Sequence, residues 1–363
     1  MIKRAFFIPF VIFLAAFTVD KLFLLDSFPL YYLTTASFIN FEHKQRLIYQ
    51  LKDYLNQPKN QRKNVLVIVG NSRSFSFDLE YIQNKYPDWI LFNFSVPGGK
   101  QDYFLYLMQE FKKNNIKPEA ILFSVTPQAM NAKPAVLTDE VMVFGLPASF
   151  IFSNFMHYNV DEITNYIGKK LFVVYRYRPK IRVIEHRLKK GKLISFINFL
   201  IKTENVLEKN YGSIPSKIEF KTSASEDVIE QNAKSLFNDF FVPFVIDKNA
   251  FYFIEECIKI SKSLEIPYVA LFWPPISKPL LQKKKTEKTA IVYENHQRVY
   301  KTVYDVWYPP MVKMVDNYKI GWIDLNVKDP LRCNSFFDAS HLASVCYNEY
   351  TDKIFEYITG GKK

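Results

Sequence analysis

The chain has 363 residues, of which 48% are hydrophobic and 23% charged, and its formal net charge is +12. This balance is globular rather than disordered, and the length is enough for one large domain, or one domain with a sizeable insertion. Aromatics are abundant, with 34 Phe and 23 Tyr against only 10 Gly, so each glycine carries information about backbone geometry.

The first segment, 1–25, bears on the compartment. Lys3 and Arg4 precede an uncharged run from Ala5 to Val19; Asp20 and Lys21 interrupt it, and Leu22 to Leu25 continue. As a helix the uncharged run spans about 22 Å, and about 31 Å when carried to Leu25, close to the thickness of a bilayer core. No small-x-small cleavage site precedes Asp20. The expectation is therefore an uncleaved signal anchor, a transmembrane helix with its basic end cytoplasmic and the bulk of the chain extracytoplasmic, in a periplasm. A cleaved signal peptide and a buried core helix are the competing readings. Residues 26–63 read as a helical linker.

From Asn64 apolar runs alternate with amphipathic segments. Asn64 to Gly70 reads as a buried strand, Phe77 to Lys85 as a short helix and Trp89 to Phe94 as a second strand. Asp102 to Asn114 has helical spacing, and Ala120 to Val125 is a third strand. Strand, helix, strand, helix, strand predicts a parallel sheet with helices on both faces. The alternation stops over 128–248, which reads as a mostly helical insertion rich in bases and aromatics. Between Lys169 and Lys192 ten Lys or Arg stand against the single acid Glu185, a local charge of +9. An anionic lipid surface or envelope polymer fits an extracytoplasmic patch better than nucleic acid does; a solvated basic face is the plainer alternative. The alternation resumes with a helix from Ala250 to Leu264, a strand from Pro267 to Trp273 and a long helix containing Tyr293 to Val315. A last strand from Ile320 to Leu325 and a final helix from His341 to Ile358 complete about five strands. Lys283 to Lys288 read as a solvated basic loop. The parallel α/β domain is thus expected over 64–127 and 249–358.

Three segments carry chemistry, each after a predicted strand. The first strand runs into VIVGNSRSFSFD, which puts Ser72 at the carboxyl end of a strand, where α/β sheets place ligands. There its hydroxyl would be exposed, and its backbone N–H and the following helix would stabilise an oxyanion. Alternatively Ser72 or Ser74 only caps a helix. The second strand ends in NFSVPGGK, whose Gly98 and Gly99 let backbone approach a substrate and donate an N–H. Near the C-terminus FFDASHLASVCYNEY holds Asp338 and His341 three apart. On one helical turn that spacing lets the carboxylate hold one imidazole nitrogen while the other faces the serine. The plain alternative is a cap from Asp338 or Ser340. Together the segments supply nucleophile, oxyanion donors, base and orienting carboxylate, the parts needed for acyl transfer. The three cysteines, Cys257, Cys333 and Cys346, lack a metal-ligand pattern. Cys333 and Cys346 are near enough in sequence to pair in an oxidising compartment, leaving one thiol. No metal or cofactor is expected.

The order GNS, then a glycine loop, then D-x-x-H resembles the SGNH (GDSL-type) hydrolase superfamily. The resemblance covers 64–127 and 249–358 and implies a flavodoxin-like three-layer sandwich. It implies Ser72 as nucleophile, Gly98 or Gly99 as oxyanion donor, and Asp338 with His341 as the rest of a triad. The family's Asp after the first Gly is replaced by Asn71, and its third-block Asn has no clear counterpart in SVTPQAMN. Asn131 is the candidate there, with Thr126 near that place. The layout resembles the membrane-anchored branch, which includes the D-alanyl-lipoteichoic acid transfer protein and the alginate acetylation proteins, and most of all an uncharacterised leptospiral envelope family. The implied function is an extracytoplasmic acyl-ester hydrolase or O-acyltransferase acting on an envelope glycan or lipid, with a membrane acyl-donor protein as a further partner by analogy. A catalytically inactive envelope glycan- or lipid-binding protein on the same fold is the alternative.

Overall fold

The computed structural model describes residues 2–25, 30–34, 36–132, 140–178, 180–293 and 297–360. The described strands, in chain order, are β1 (Asn64–Val69), β2 (Trp89–Asn93), β3 (Ala120–Ser124), β4 (Phe244–Val245), β5 (Tyr268–Trp273), β6 (Lys288–Val292), β7 (Arg298–Thr302) and β8 (Gly321–Asp324). Five of them form one parallel sheet in the order β2-β1-β3-β5-β8. Counted within that sheet the order is 2-1-3-4-5, the doubly wound arrangement in which the chain leaves the first strand in one direction and continues from the third in the other. Val67 sits between Phe92 of β2 and Ile121 of β3, and every residue of β3 is buried. Continuous apolar strands of this kind require cover on both faces.

The helices supply that cover. Gln101–Lys113 packs against Lys248–Ser263. Leu79–Lys85 and Tyr347–Ile358 lie together, tied by a Tyr86–Phe355 ring stack at 4.0 Å and by Phe77 against Tyr350. Right-handed crossovers put these two pairs on opposite faces.

Several local expectations are corrected. The long helix expected around Tyr293 to Val315 is instead β7 followed by the helix Val303–Tyr318; Glu294 to His296 lie outside the described residues. β7 pairs antiparallel with β6, and β4 joins them in a small second sheet. The alternating burial of KTAIV fits that role better than a helical period. The expected Lys283 to Lys288 loop belongs to the helix Lys278–Thr286 and to β6, and Lys284 is buried rather than solvated. The final helix begins at Tyr347, not His341.

The chain divides into two compact units, one of Met1–Glu42 with Met142–Asn205 and the other of His43–Val141 with Val206–Lys363. The segment expected as one insertion, 128–248, is therefore shared between them. The second unit holds both sheets.

The first unit is helical among the described residues. It opens with the helix Ile2–Leu22, which contains Pro9 and exposes Phe7, Ile8, Phe10 and Ile12. Among the described residues no helix is long and apolar enough to cross a membrane, so the spanning anchor expected over 1–25 is unsupported. Asp20, the acid that interrupts the apolar run, caps the helix Val173–Tyr177, accepting the amides of Val173 at 2.8 Å and Val174 at 2.9 Å. Part of the basic cluster is also employed internally. Arg176 donates to the carbonyls of Lys169 and Lys170, and Arg187 to those of Tyr31 and Tyr32.

Candidate active site

The turn after β1 sets the first element. Asn71 is extended, and its side chain accepts the Arg73 amide at 3.1 Å, which starts a short 3-10 turn over Ser72–Ser74. The α-helix begins only at Leu79, capped by Asp78. The expected helix-dipole assistance at Ser72 is thus replaced by a single tight turn. The two serines separate cleanly. Ser74 is fully buried, and its hydroxyl bonds the Asn71 carbonyl at 3.1 Å and the Ser95 hydroxyl at 3.0 Å. Ser72 is partly exposed, and its Oγ lies 2.8 Å from His341 Nε2.

His341 is held from behind. Its Nδ1 is 2.8 Å from Asp338 Oδ2 and 3.0 Å from Oδ1. Because the carboxylate accepts, Nδ1 carries the proton and Nε2 is left to accept from the Ser72 hydroxyl. The three-residue spacing works through a turn rather than the expected helical turn. Asp338 Oδ1 collects the amides of Ser340 at 2.7 Å and His341 at 2.9 Å and the Ser340 hydroxyl at 3.0 Å, a local pattern that competes with helix. Phe336 and Leu342 pair across the base of this loop, and Phe337 donates its amide to the His341 carbonyl. A disulfide between Cys333 and Cys346 brackets the whole loop, leaving Cys257 as a buried free thiol. Phe220 stacks on the imidazole with centroids 5.0 Å apart. Burial alone would raise the Asp338 carboxyl. The hydrogen bond and charge of His341, with the Ser340 amide and hydroxyl, override it and hold the group at about 2.

The expected oxyanion donors fare differently. Gly98 has φ +72°, a conformation only glycine adopts without strain. Among the described residues the Gly98 and Ser72 amides have no acceptor within the chain, and both residues line one cavity. The Gly99 amide is consumed, donating to Val96 at 3.0 Å. Gly99 is needed instead for close approach, since a Cβ there would stand 2.3 Å from the Gly70 carbonyl oxygen. Asn131 is corrected as well. It is buried away from the cavity, donating to the Phe240 carbonyl and accepting the Val245 amide at 3.3 Å. Thr126, at the end of β3, occupies the cavity wall in its place and accepts from Asn71 Nδ2 at 3.3 Å.

The cavity has a volume of about 260 Å³. The ends of β1, β2 and β3 supply Ser72, Gly98 and Thr126 at the switch point of the sheet. Leu236 and Phe240 of the helix Glu226–Phe241 form an apolar side. Arg73, Lys100 and Gln128 also reach it; none of the three stood out in the sequence, where the one signal was a lone base inside a run of small polar residues. No group of side chains among the described residues has the make-up of a metal site. No curated protein matches the chain. A family model described as a protein of unknown function (DUF1574) matches residues 1–358, and the chain belongs to that family.

Proposed function

We propose that this protein is a serine-dependent acyl-ester hydrolase or O-acyltransferase of SGNH type. The observation that carries the reading is the continuous hydrogen-bond line from Ser72 Oγ through His341 to Asp338, formed from residues 269 and 3 positions apart in sequence. Ser72 Oγ attacks an ester carbonyl while His341 Nε2 takes its proton. The carbonyl oxygen, now negative, is received by the Ser72 and Gly98 amides, each worth on the order of 10²–10³ in rate. His341 returns the proton to the departing alcohol, leaving an acyl group on Ser72. Water resolves that ester in a hydrolase, and a sugar hydroxyl does so in a transferase.

The same reading places the reaction outside the cytoplasm, on an envelope glycan or lipid. The disulfide around the base loop supports an oxidising compartment. The first unit supports attachment at a membrane. Its helices expose Val160, Ile181, Leu188, Ile194 and Phe199 beside the basic cluster, and the helix Ile2–Leu22 exposes a row of large apolar side chains, a combination suited to an anionic lipid surface or an anchor.

The competing reading, an inactive envelope-binding protein, draws on Asn131, whose withdrawal leaves the oxyanion to two amides. A fluorophosphonate probe separates the two. Labelling of Ser72 that disappears in Ser72→Ala and His341→Ala is the expected result. Folded wild-type protein that takes no label ends the catalytic reading.

A further inference from the structure

Two buried cations converge beside the nucleophile. Arg73 is 8% exposed and Lys284 1% exposed, and both donate to one acceptor, Gln128 Oε1, at 3.2 Å and 3.3 Å. Neither has a carboxylate partner among the described residues. Asp338 pulls on Arg73, followed by the Tyr350 phenol, but the two Asp338 oxygens are already committed to His341 and Ser340. The Phe241 ring, 5.0 Å from the Lys284 ammonium, offsets part of the burial. Burial, followed by the neighbouring Arg73 charge, pushes the Lys284 ammonium well below its usual range, and burial takes the Arg73 guanidinium down to about 10. An amide oxygen carries only a partial charge and cannot by itself hold both groups in their charged forms. Unpaired buried charge is strongly unfavourable, so the charged forms call for a counter-charge. The place for one is adjacent. Arg73 and Gln128 line the cavity, Lys100 lines it too, and the Gln128 side-chain nitrogen is buried with no partner. Among the described residues no carboxylate lines the cavity.

We propose that the substrate of this site is an ester that bears an oxyanion group, a carboxylate or a phosphate, seated on Arg73 and the Gln128 amide with Lys100 beside it. Lys284 strengthens the seat through Gln128 and holds its positive potential. The ester carbonyl then lies at Ser72, and the apolar part of the molecule lies along Leu236 and Phe240. The inference rests on the acyl-ester reading for the position of the scissile bond; the anion seat itself does not require turnover.

The test is calorimetric titration of the full-length Ser72→Ala protein with three esters of similar shape: phenyl acetate, 4-acetoxybenzoate and 4-acetoxyphenyl phosphate. At least one charged ester is expected to bind about tenfold or more tighter than the neutral one. That advantage is expected to fall to about threefold or less when Arg73→Gln or Lys284→Met is added. Lys284→Met removes a buried charge in favour of a side chain of similar length, so it decides the matter should the Arg73 variant not fold. Preference for the benzoate identifies a carboxylate-bearing substrate, and preference for the phosphate a phosphate-bearing one. Equal binding of charged and neutral esters, no binding of either charged ester, or an advantage that survives Lys284→Met overturns the proposal. Wild-type protein whose Ser72 takes no fluorophosphonate label while the charged ester still binds would sink the catalytic reading and leave the anion seat standing.

Discussion

Replacing Asp338 by Asn tests the site at its orienting group. The amide keeps an oxygen for the Ser340 and His341 amides that shape the turn, so the loop is preserved while the charge is removed. Its nitrogen, however, donates toward His341 Nδ1. The imidazole then carries its proton on Nε2, where it can no longer accept from the Ser72 hydroxyl 2.8 Å away. Fluorophosphonate labelling of Ser72 is expected to slow on the order of 10³–10⁴-fold. Stability reports the same contact independently. The folded Asp338 carboxyl sits at about 2 against an ordinary value of 3.8, which corresponds to about 2 kcal/mol favouring the folded chain when the group is ionised. Because the folded value is depressed, this contribution is present above about pH 4 and is lost as the pH falls through about 2. Urea unfolding of wild type and Asp338→Asn should therefore differ by about 2 kcal/mol at pH 7 and converge near pH 2. A labelling rate within a few-fold of wild type, or a stability gap that stays constant down to pH 2, refutes the reasoning.

Three further outcomes follow from neighbouring contacts. Asn131→Ala should cost about 1 kcal/mol in urea unfolding, because it removes the partner of the half-buried Val245 amide and Phe240 carbonyl, yet Ser72 should label at the wild-type rate. Gly98→Ala forces a left-handed residue with a Cβ, costing about 1–2 kcal/mol, and should slow labelling by displacing an oxyanion donor. Removing the disulfide with Cys333→Ser and Cys346→Ser should lower stability by about 3 kcal/mol; a midpoint unchanged from wild type would show that the base loop is held without it.

The parallel sheet was legible because buried strands are short, β-branched and bounded by turn residues, as in NVLVIV and YVALFW. The strand ends that line the cavity were legible for the same reason, since Ser72, Gly98 and Thr126 each follow a strand that the pattern exposes. What escaped depends on partners far away in sequence. The Lys283 to Lys288 run looks solvated until the helix Glu226–Phe241 packs over it and buries Lys284. Asn131 has the right residue type for an oxyanion donor, but a bridge to Ile246 turns that stretch into a structural strap. The spacing of Asp338 and His341 suggested a helical turn; the carboxylate's capture of two amides makes a tight loop that reaches the same relation by another route. Arg73 is the least legible, because nothing in a lone arginine reveals that its neighbours leave it without a counter-charge.

The parts of the site differ in how freely they can vary. The Ser72 turn is fixed by Asn71, Ser74 and the crowded strand ends around Gly70, where an added Cβ would meet Ser74 and Ser124. The base loop is fixed by its own hydrogen bonds, the bracketing disulfide and the Phe220 ring. Neither tolerates displacement, since a shift of about 1 Å at a reacting centre costs on the order of 10² in rate. The far wall is under no such constraint. Leu236 and Phe240 lie four apart on the helix Glu226–Phe241, one turn on the same face, and touch none of the triad's hydrogen bonds. Exchanging those two side chains reshapes the apolar side of a cavity of about 260 Å³ without moving Ser72 or His341. On the acyl-ester reading, the acyl or alcohol part that the site accepts is therefore set chiefly by this helix and by Arg73, while the sheet ends govern the attack on the ester.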